Sequence, residues 1–260
     1  MSRLVLKSPG DLAIMHEANL VLRRIVEEMR ERIQPGVTTA DLDALVERRI
    51  FEAGGRPAFK GYPHRGGGPD FPGSACTSVN DEVVHGIPSR RVVLKDGDIV
   101  SVDLGILYQG FYGDMAETFG VGDVGEQAKR LLEVTRAALA KGVEQVQVGH
   151  RVSDIGHAVQ TWVESHGYGI VREFVGHGIG LELHEDPQVP NFGQPGRRER
   201  LVPGMVLAIE PMVNAGAPDV VLDADGWTAR TRDGSLSAHF ECCVAVTEKG
   251  PRILGLSDAA

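Results

Sequence analysis

The chain runs twice through the same order of segments, two amphipathic helices followed by strands, and this repetition restricts the folds open to it. Sliding Gly36 onto Gly149 aligns a carboxylate, two apolar residues and a second glycine without a gap. The matched pairs are Asp41 and Asp154, Leu42 and Ile155, Val46 and Val159, and Gly54 and Gly167. Further on, residues 97–103 (GDIVSVD) match residues 204–210 (GMVLAIE). The matches predict an internal repeat, roughly 11–120 and 125–247, whose halves are related by a pseudo-two-fold axis.

Local signals set the predicted bounds of these elements. Apolar residues recur at helical spacing after a serine–proline pair, and Thr38 with Asp41 forms a capping box before the second helix. Proline–glycine and glycine–glycine pairs then end these helices. The predicted segments are helices over about 8–35, 38–54, 126–147 and 153–166, and strands near 98–107 and 110–119. Together they predict an α+β fold.

The repetition also places acidic residues at equivalent positions of both halves. Asp103 and Glu210 end the matched stretches, and each is followed by a second carboxylate, Asp114 or Glu241. Facing each other across a pseudo-axis, the four would repel and raise one another's pKa. Two divalent cations would balance four negative charges, and oxygen ligands with an imidazole suit Mn, Fe, Co or Zn. The alternative is that these carboxylates meet solvent, which explains a single Asp better than four repeated ones.

Residues 176–187 (GHGIGLELHEDP) form the other dense feature. Glycines on both sides of His177 allow a close approach of the backbone to a ligand. A lone histidine is more often a satisfied core residue or a solvent-exposed one. Here His177 and His184 stand seven residues apart in a stretch too irregular for a core helix, which favours a functional role.

Composition excludes several classes of protein. Lys and Arg number 27 against 36 Asp and Glu, a net charge of −9, so the chain is a poor candidate for binding nucleic acid. Three cysteines, Cys76, Cys242 and Cys243, predict a reducing compartment rather than a disulfide framework. The first twenty residues carry charges where a signal peptide needs an apolar run. No stretch is apolar enough for a membrane helix, and we expect a cytoplasmic protein without a membrane partner.

At this point the motifs resemble those of a known family. The histidine stretch is similar to a motif of the type I methionine aminopeptidases of the pita-bread fold. The resemblance to this family covers nearly the whole chain. The further motifs are SVNDEVVHGIP at 78–88, DGDIVSVDLG at 96–105, GMVLAIEP at 204–211 and DGWTARTRDGSLSAHFE at 225–241. The resemblance implies one catalytic domain over residues 1–260, with two related halves around a central curved antiparallel sheet. Prolidase, aminopeptidase P and creatinase belong to the same larger family, usually with a long N-terminal domain.

The resemblance implies five ligands for two divalent ions. Asp103 would bind one ion, His177 and Glu210 the other, and Asp114 and Glu241 would bridge the two. The ions are Co, Mn, Fe or Zn, and a hydroxide held between them would attack the carbonyl after an N-terminal methionine. The second ion would also hold the free amino group of the substrate.

Three residues carry further roles by the same resemblance. Glu210 would also accept or relay the proton of the attacking hydroxide. His184 would stabilise the developing oxyanion, and His85 would contact the amide that is cleaved.

An apolar slot for the methionine side chain is expected beside these residues. By similarity its walls are Phe59, Tyr62, Phe71, Cys76 and Trp227. Each of these could equally be an ordinary core residue. Two features depart from the family pattern. The stretch 61–72 is longer and richer in Gly and Pro, and Leu183 stands where an aromatic residue often precedes the histidine.

A monovalent cation is a further implication of the resemblance. Asn80 and Ser237 match positions where the family places such an ion, with a backbone oxygen from Glu82.

The resulting hypothesis is a monomeric enzyme that removes the initiator methionine from nascent chains near the ribosome, and from peptides, when the second residue is small. One alternative keeps the fold and the metals but cleaves X-Pro bonds, like prolidase. Another is a non-catalytic peptide-binding relative, which we would expect to have lost at least one ligand.

Overall fold

Helices and short strands alternate in two halves along the chain, whose computed structural model describes residues 4–64 and 66–256. The helices are α1 (Pro9–Arg32), α2 (Thr39–Glu52), α3 (Glu126–Glu144) and α4 (Val152–Ser165). The strands of the first half are β1 (Arg56–Pro57), β2 (Ala75–Val79), β3 (Glu82–Val84), β4 (Ile99–Tyr108) and β5 (Phe111–Gly120). Residues 1–3 and 257–260 of the expected domain, and Arg65 within the stretch 61–72, lie outside the described residues.

The second half contains shorter strands. They are β6 (Gly169–Ile170), β7 (Gly176–Gly178), β8 (Glu185–Val189), β9 (Val206–Ile209), β10 (Met212–Asn214), β11 (Val220–Leu222), β12 (Ala229–Thr231), β13 (Ser237–His239), β14 (Glu241–Thr247) and β15 (Gly250–Ile253). In the described part of the chain, no helix is both long and apolar enough to cross a bilayer.

The helix ends follow the predicted capping signals. At the start of α2 the Thr38 side chain accepts from the Asp41 N–H, and the Asp41 carboxylate accepts from the Thr38 N–H, so the capping box is confirmed. Two helices end about three residues before their predicted ends: α1 stops at Arg32 and not near residue 35, and α3 stops at Glu144 and not near residue 147. The N–H groups of Gln145 and Val146 bond three residues back, which tightens the last turn before the chain reverses.

Equivalent turns of the two halves have the same backbone conformation. Gly36 and its counterpart Gly149 have φ of 96° and 90°, and Gly97 and Gly204 have φ of 89° and 90°. Side chains rarely adopt this left-handed region, so glycine is required at these four turns. The repeated glycines of the sequence therefore mark repeated turns of the structure.

The largest sheet is antiparallel, and its strand order expresses the relation between the halves. Its central order is β4-β5-β14-β9, where β5 pairs with β14. Because β4 corresponds to β9 and β5 to β14, this order reads the same from either edge. The pseudo-two-fold axis thus passes between β5 and β14, and the predicted α+β arrangement of two halves around an antiparallel sheet is confirmed.

The helices cover one face of this sheet. Val102 and Leu104 of β4 pack into a core with α1 and α2, while Leu207 and Ile209 of β9 belong to the core of the second half. Since side chains alternate along a strand, the residue between each pair turns to the opposite face. Asp103 is such a residue, so the acidic positions lie on the face away from the helices.

Candidate metal centre

Strand register brings three of the predicted ligands to one face of the sheet. Asp103 pairs with Ala116 across β4 and β5, and Ala116 pairs with Glu241 across β5 and β14. Paired residues of an antiparallel ladder point to the same side. Asp114 stands two residues before Ala116 on β5 and therefore shares that side. Asp103, Asp114 and Glu241 thus face one another although they come from both halves.

The other two predicted ligands arrive from neighbouring strands. Glu210 follows the last residue of β9, and His177 pairs with Ala208 of that strand. His177 Nε2 lies 3.6 Å from Glu210 Oε1 and 3.9 Å from Asp114 Oδ2. Its Nδ1 lies 2.9 Å from the Gly178 carbonyl, so the Nδ1–H donates there and Nε2 presents a lone pair to the carboxylates.

The donor atoms form two compact groups that share Glu241. One consists of Asp114, His177 and Glu241, and the other of Glu210, His239 and Glu241, each with ligand atoms within 4.8 Å of one another. Asp103 stands outside both groups but belongs to the same cluster, because it pairs with Ala116, which is also the strand partner of Glu241. After burial, its charge also raises the pKa of Asp114, Glu210 and Glu241.

Burial shifts the pKa values of these four carboxyl groups. It raises the pKa of Asp103 to about 7 and, with the neighbouring charges, raises the pKa of Asp114, Glu210 and Glu241 well above the ordinary range. Asp103 Oδ1 and Glu241 Oε1 are buried without a hydrogen-bond partner.

No Lys or Arg within residues 4–64 and 66–256 forms an ion pair with any of the four. Oxygen donors of this kind, buried beside imidazole and lacking a basic partner, fit divalent cations.

His239 belongs to this cluster, and the sequence analysis missed it. Its side chain is 2% exposed, and its Nε2 lies 3.8 Å from Glu210 Oε2 and 3.9 Å from Glu241 Oε2. That nitrogen has no hydrogen-bond partner, and burial lowers the pKa of the ring to about 3. A spacing of two residues from Glu241 was the available signal, since such residues share a side in extended chain.

The two other predicted histidines lie at the edge of the cluster. The His184 ring centroid is 4.4 Å from that of His177, and its Nδ1 is 2.7 Å from the Tyr62 hydroxyl. His85 has φ of 60° and packs edge-on against Phe174. Burial first, and then the charge of His184, lower the pKa of His85 to about 4, so this ring is neutral near pH 7.

The five predicted wall residues meet in one apolar cluster. Phe59, Phe71 and Cys76 are buried members of it, and Tyr62 and Trp227 pack against them. Cys76 pairs with Asp103 in the sheet, so the cluster borders the carboxylates. Leu183, where an aromatic residue was expected, is buried in the same cluster.

The Gly/Pro-rich stretch 61–72 is organised by His64, which the sequence analysis did not single out. The N–H groups of Gly66 and Gly68 both donate to His64 Nδ1 at 3.0 Å. His64 Nε2 lies 3.0 Å from the Gly226 carbonyl and so carries the ring proton. The ring also packs edge-on against Trp227, which fastens the stretch to the opposite wall of the apolar cluster.

The three residues predicted to hold a monovalent cation lie close together. The Ser237 N–H donates to the Asn80 carbonyl at 2.9 Å, and the Asn80 side chain bonds to Asp98 and to the Ile99 N–H. The Glu82 carboxylate is paired with Arg230 at 2.7 Å. The cation itself stays a prediction.

Known proteins resemble this chain over its whole length. A family described as Metallopeptidase family M24 matches residues 13–248. The methionine aminopeptidase of Clostridium acetobutylicum is 49% identical over 255 residues, which cover 98% of this chain and 100% of the relative. The crystal structure of a Thermotoga maritima methionine aminopeptidase superposes with a TM-score of 0.93 at 46% identity, covering 98% and 100% of the two chains.

A more distant structure carries the same architecture. Prolidase from Pyrococcus furiosus superposes with a TM-score of 0.75 at 23% identity, over 98% of this chain and 66% of that chain. At this identity the likeness concerns the fold alone. The predicted pita-bread fold is confirmed by these superpositions.

Proposed function

The chain belongs to metallopeptidase family M24, and we propose that it is a methionine aminopeptidase that hydrolyses the bond after an N-terminal methionine. Its substrates are peptides and new chains whose second residue is small. The observation that carries this proposal is the largely buried cluster of four carboxylates and two imidazoles, in which no carboxylate pairs with a Lys or Arg of residues 4–64 and 66–256. Full-length identity of 49% to a methionine aminopeptidase supports the choice of substrate.

Five side chains would hold the metal. We assign Asp103 to one ion, His177 and Glu210 to the other, and Asp114 and Glu241 to both. Cobalt, manganese, iron and zinc all suit such a donor set. When divalent ions are bound, these residues would place them where they could polarise the peptide carbonyl and lower the pKa of water.

The protein contributes a proton acceptor and two imidazoles. Glu210 is the acceptor in this proposal, because burial and the Asp103 charge raise the pKa of its carboxyl group. When the Tyr62 hydroxyl donates to His184 Nδ1, the ring N–H is at Nε2 and can donate a hydrogen bond to the developing oxyanion. His85, neutral by burial, contacts the scissile amide.

The apolar cluster beside the carboxylates supplies the specificity. Phe59, Tyr62, Phe71, Cys76 and Trp227 would enclose the methionine side chain. An unbranched thioether fits such walls, and its sulfur gains from contact with aromatic rings.

The setting of the enzyme is also part of the proposal. It acts in the cytoplasm as a monomer, close to the ribosome where new amino termini emerge. Its three cysteines are buried and free, as expected in a reducing compartment. Asn80, Ser237 and the backbone oxygen of Glu82 would hold a monovalent cation, and the repeat of residues 11–120 and 125–247 would form one catalytic domain.

A peptide pair tests the function. Metal-stripped protein is assayed with Met-Ala-Ser and Ala-Pro-Ala after Mn, Co, Fe or Zn is added back in turn. Methionine should be released from the first peptide only when metal is present. Cleavage of the second peptide alone would make the protein an X-Pro peptidase, and no cleavage of either with any metal would make it a non-catalytic relative.

A further inference from the structure

A buried ion pair lies outside the proposed centre, between the segment before α1 and the turn that carries His184. The side chains of Lys7 and Glu185 are only 2% and 6% exposed, and Lys7 Nζ donates to Glu185 Oε2. The same nitrogen donates to the Val5 carbonyl at 2.9 Å. Lysine is seldom buried in proteins unless it is paired, so the pair needs an explanation.

The second oxygen of Glu185 organises the turn itself. Glu185 Oε1 accepts from the N–H of Leu181 at 2.7 Å and from the N–H of Glu182 at 3.3 Å. One carboxylate therefore joins the Lys7 ammonium to the backbone of residues 180–185, which we name the histidine turn. A Cβ at Gly180 would overlap Lys7 Cε, so the lysine stem lies directly on the backbone of this turn.

Lys7 is itself held in place from the second half of the sheet. Its N–H donates to the Gly204 carbonyl at 2.8 Å, just before β9. The next residue, Ser8, caps α1 of the first half. A third contact reaches the histidine turn from β5, where the Tyr112 N–H donates to the Gly180 carbonyl at 2.8 Å. The turn is thus fastened from both halves.

The histidine turn ends at the residue that enters the proposed centre. His184 is adjacent to Glu185 in the chain, and its ring lies 4.4 Å from that of His177 between centroids. Leu181 is 56% exposed, so this side of the turn has little apolar packing of its own. The ion pair and its backbone hydrogen bonds therefore hold the exposed side of the turn, while Leu183 packs in the apolar cluster on the other side.

We propose that Lys7, acting through Glu185, positions the His184 imidazole for the reaction. This inference rests on the proposed function, in which His184 donates to the oxyanion. A misplacement of a reacting group by about 1 Å lowers rates by up to about a hundredfold. The charge of Lys7 thereby controls turnover from outside the centre, without touching substrate or metal ligands.

The first test compares Lys7→Met, which keeps the stem and removes the charge, with Lys7→Arg, which keeps the charge. For Lys7→Met we expect kcat on Met-Ala-Ser to fall about tenfold, with KM within about twofold, since only an oriented catalytic group is lost. Metal content should be unchanged, and Lys7→Arg should recover part of the rate. The matched control is Lys129→Met, which removes an exposed pair with Glu126 at 3.0 Å. A Lys7→Met variant with wild-type kcat would overturn the inference.

The second test is a double-mutant cycle. If Lys7 acts through His184, Lys7→Met should have no further effect on kcat in a His184→Ala background, whereas independent roles would give losses that multiply. Multiplying losses overturn the positioning role. Should Lys7→Met fail to fold, Glu185→Gln takes its place, because it keeps an acceptor for the Leu181 N–H and drops the charge.

A spectroscopic readout separates this inference from the proposed function. Ring nitrogen chemical shifts of His184, measured with labelled histidine, should change in Lys7→Met and stay unchanged in Lys129→Met. Unchanged shifts in both variants would sink the inference even in an active enzyme. If the His184 shifts change in Lys7→Met but the wild-type protein does not cleave Met-Ala-Ser, the result counts against the proposed function alone.

Discussion

At the scale of single residues, the centre is defined by carboxyl groups that pair with no Lys or Arg in the described part of the chain. Asp114 shows this most clearly, because it is buried, lies 3.9 Å from His177 Nε2, and shares a compact donor group with Glu241. A side chain in that position stabilises the folded protein only when a cation joins it.

Replacing Asp114 with asparagine should therefore empty or weaken the whole metal site. We expect metal affinity to fall by more than the roughly 10–100-fold that loss of an outer partner causes, and peptide cleavage to fall with it. Metal per chain and methionine release are measured together. Asp219→Asn, a change at an exposed carboxylate, is the control, and two tightly bound ions with full activity in Asp114→Asn would refute the bridging assignment.

His239 gives a second prediction at this scale. Its unpartnered Nε2 lies 3.8 Å from Glu210 and 3.9 Å from Glu241, so we expect the ring to support these carboxylates when a cation is bound. His239→Ala should weaken metal binding by about 10–100-fold, as for other outer partners, and His239→Gln should retain more of it. Isothermal titration with Mn²⁺ measures the difference. Equal affinity in wild type and His239→Ala would remove His239 from the centre.

At the scale of elements, the stretch 61–72 behaves as a fastened wall of the apolar cluster. His64 holds it through two accepted hydrogen bonds and one donated to Gly226, while the Trp227 indole N–H donates back to Pro69 at 2.9 Å. The wall is thus held from both sides of the expected methionine slot, and its loosening should affect binding more than chemistry.

His64→Phe keeps a ring against Trp227 and removes the three hydrogen bonds. We expect KM for Met-Ala-Ser to rise about tenfold, which is about 1.4 kcal/mol and close to the net value of one hydrogen bond. The value of kcat should change by less than about twofold. His150→Phe, at an exposed ring that bonds to the Gln145 carbonyl, is the control. A fall in kcat at constant KM would place His64 in the chemistry instead.

Elements also show which features the sequence could predict. The helices, their caps and the four carboxylates follow from periodicity and from the repetition of the halves. The His64–Gly226 and Lys7–Glu185 contacts join residues 162 and 178 positions apart, and no periodic pattern marks such pairs. The repetition of the two halves does not mark His239 as a candidate ligand, because its counterpart in the first half, two residues before Asp114, is Tyr112.

At the scale of the whole molecule, the unneutralised centre links stability to pH and to metal. In the metal-free protein burial raises the pKa of Asp103 to about 7, while an unfolded Asp titrates near about 3.9. The folded state then holds protons that the unfolded state has released. The free energy of unfolding therefore falls as pH rises through that window. Asp114, Glu210 and Glu241, also raised, act in the same direction.

The buried histidines act in the opposite direction over a lower range. The pKa values of His177 and His239 fall to about 3 and that of His85 to about 4. These histidines therefore make the free energy of unfolding rise with pH, but only up to about pH 6.5, which is the pKa of histidine in an unfolded chain.

Between about pH 6.5 and 8 the metal-free protein should therefore lose stability as pH rises, and added Mn²⁺ should remove that loss. Calorimetric Tm values with and without chelator measure both effects. Asp103→Asn should flatten the metal-free slope, and a metal-free Tm that climbs over this range would contradict the prediction.

The seam between β5 and β14 joins the halves through Ala116 with Glu241 and Met115 with Cys242. Asp103 and Asp114 lie on one side of it, while His177, Glu210 and Glu241 lie on the other. During synthesis, the amino-terminal half leaves the ribosome carrying two of the five proposed donors. On the proposed ligand assignment neither half would hydrolyse a peptide by itself, because the donor set is complete only when β14 has joined the sheet. If the proposed ligand assignment is correct, a half-made chain is inert toward every amino terminus around it, its own included, and activity begins when the sheet closes.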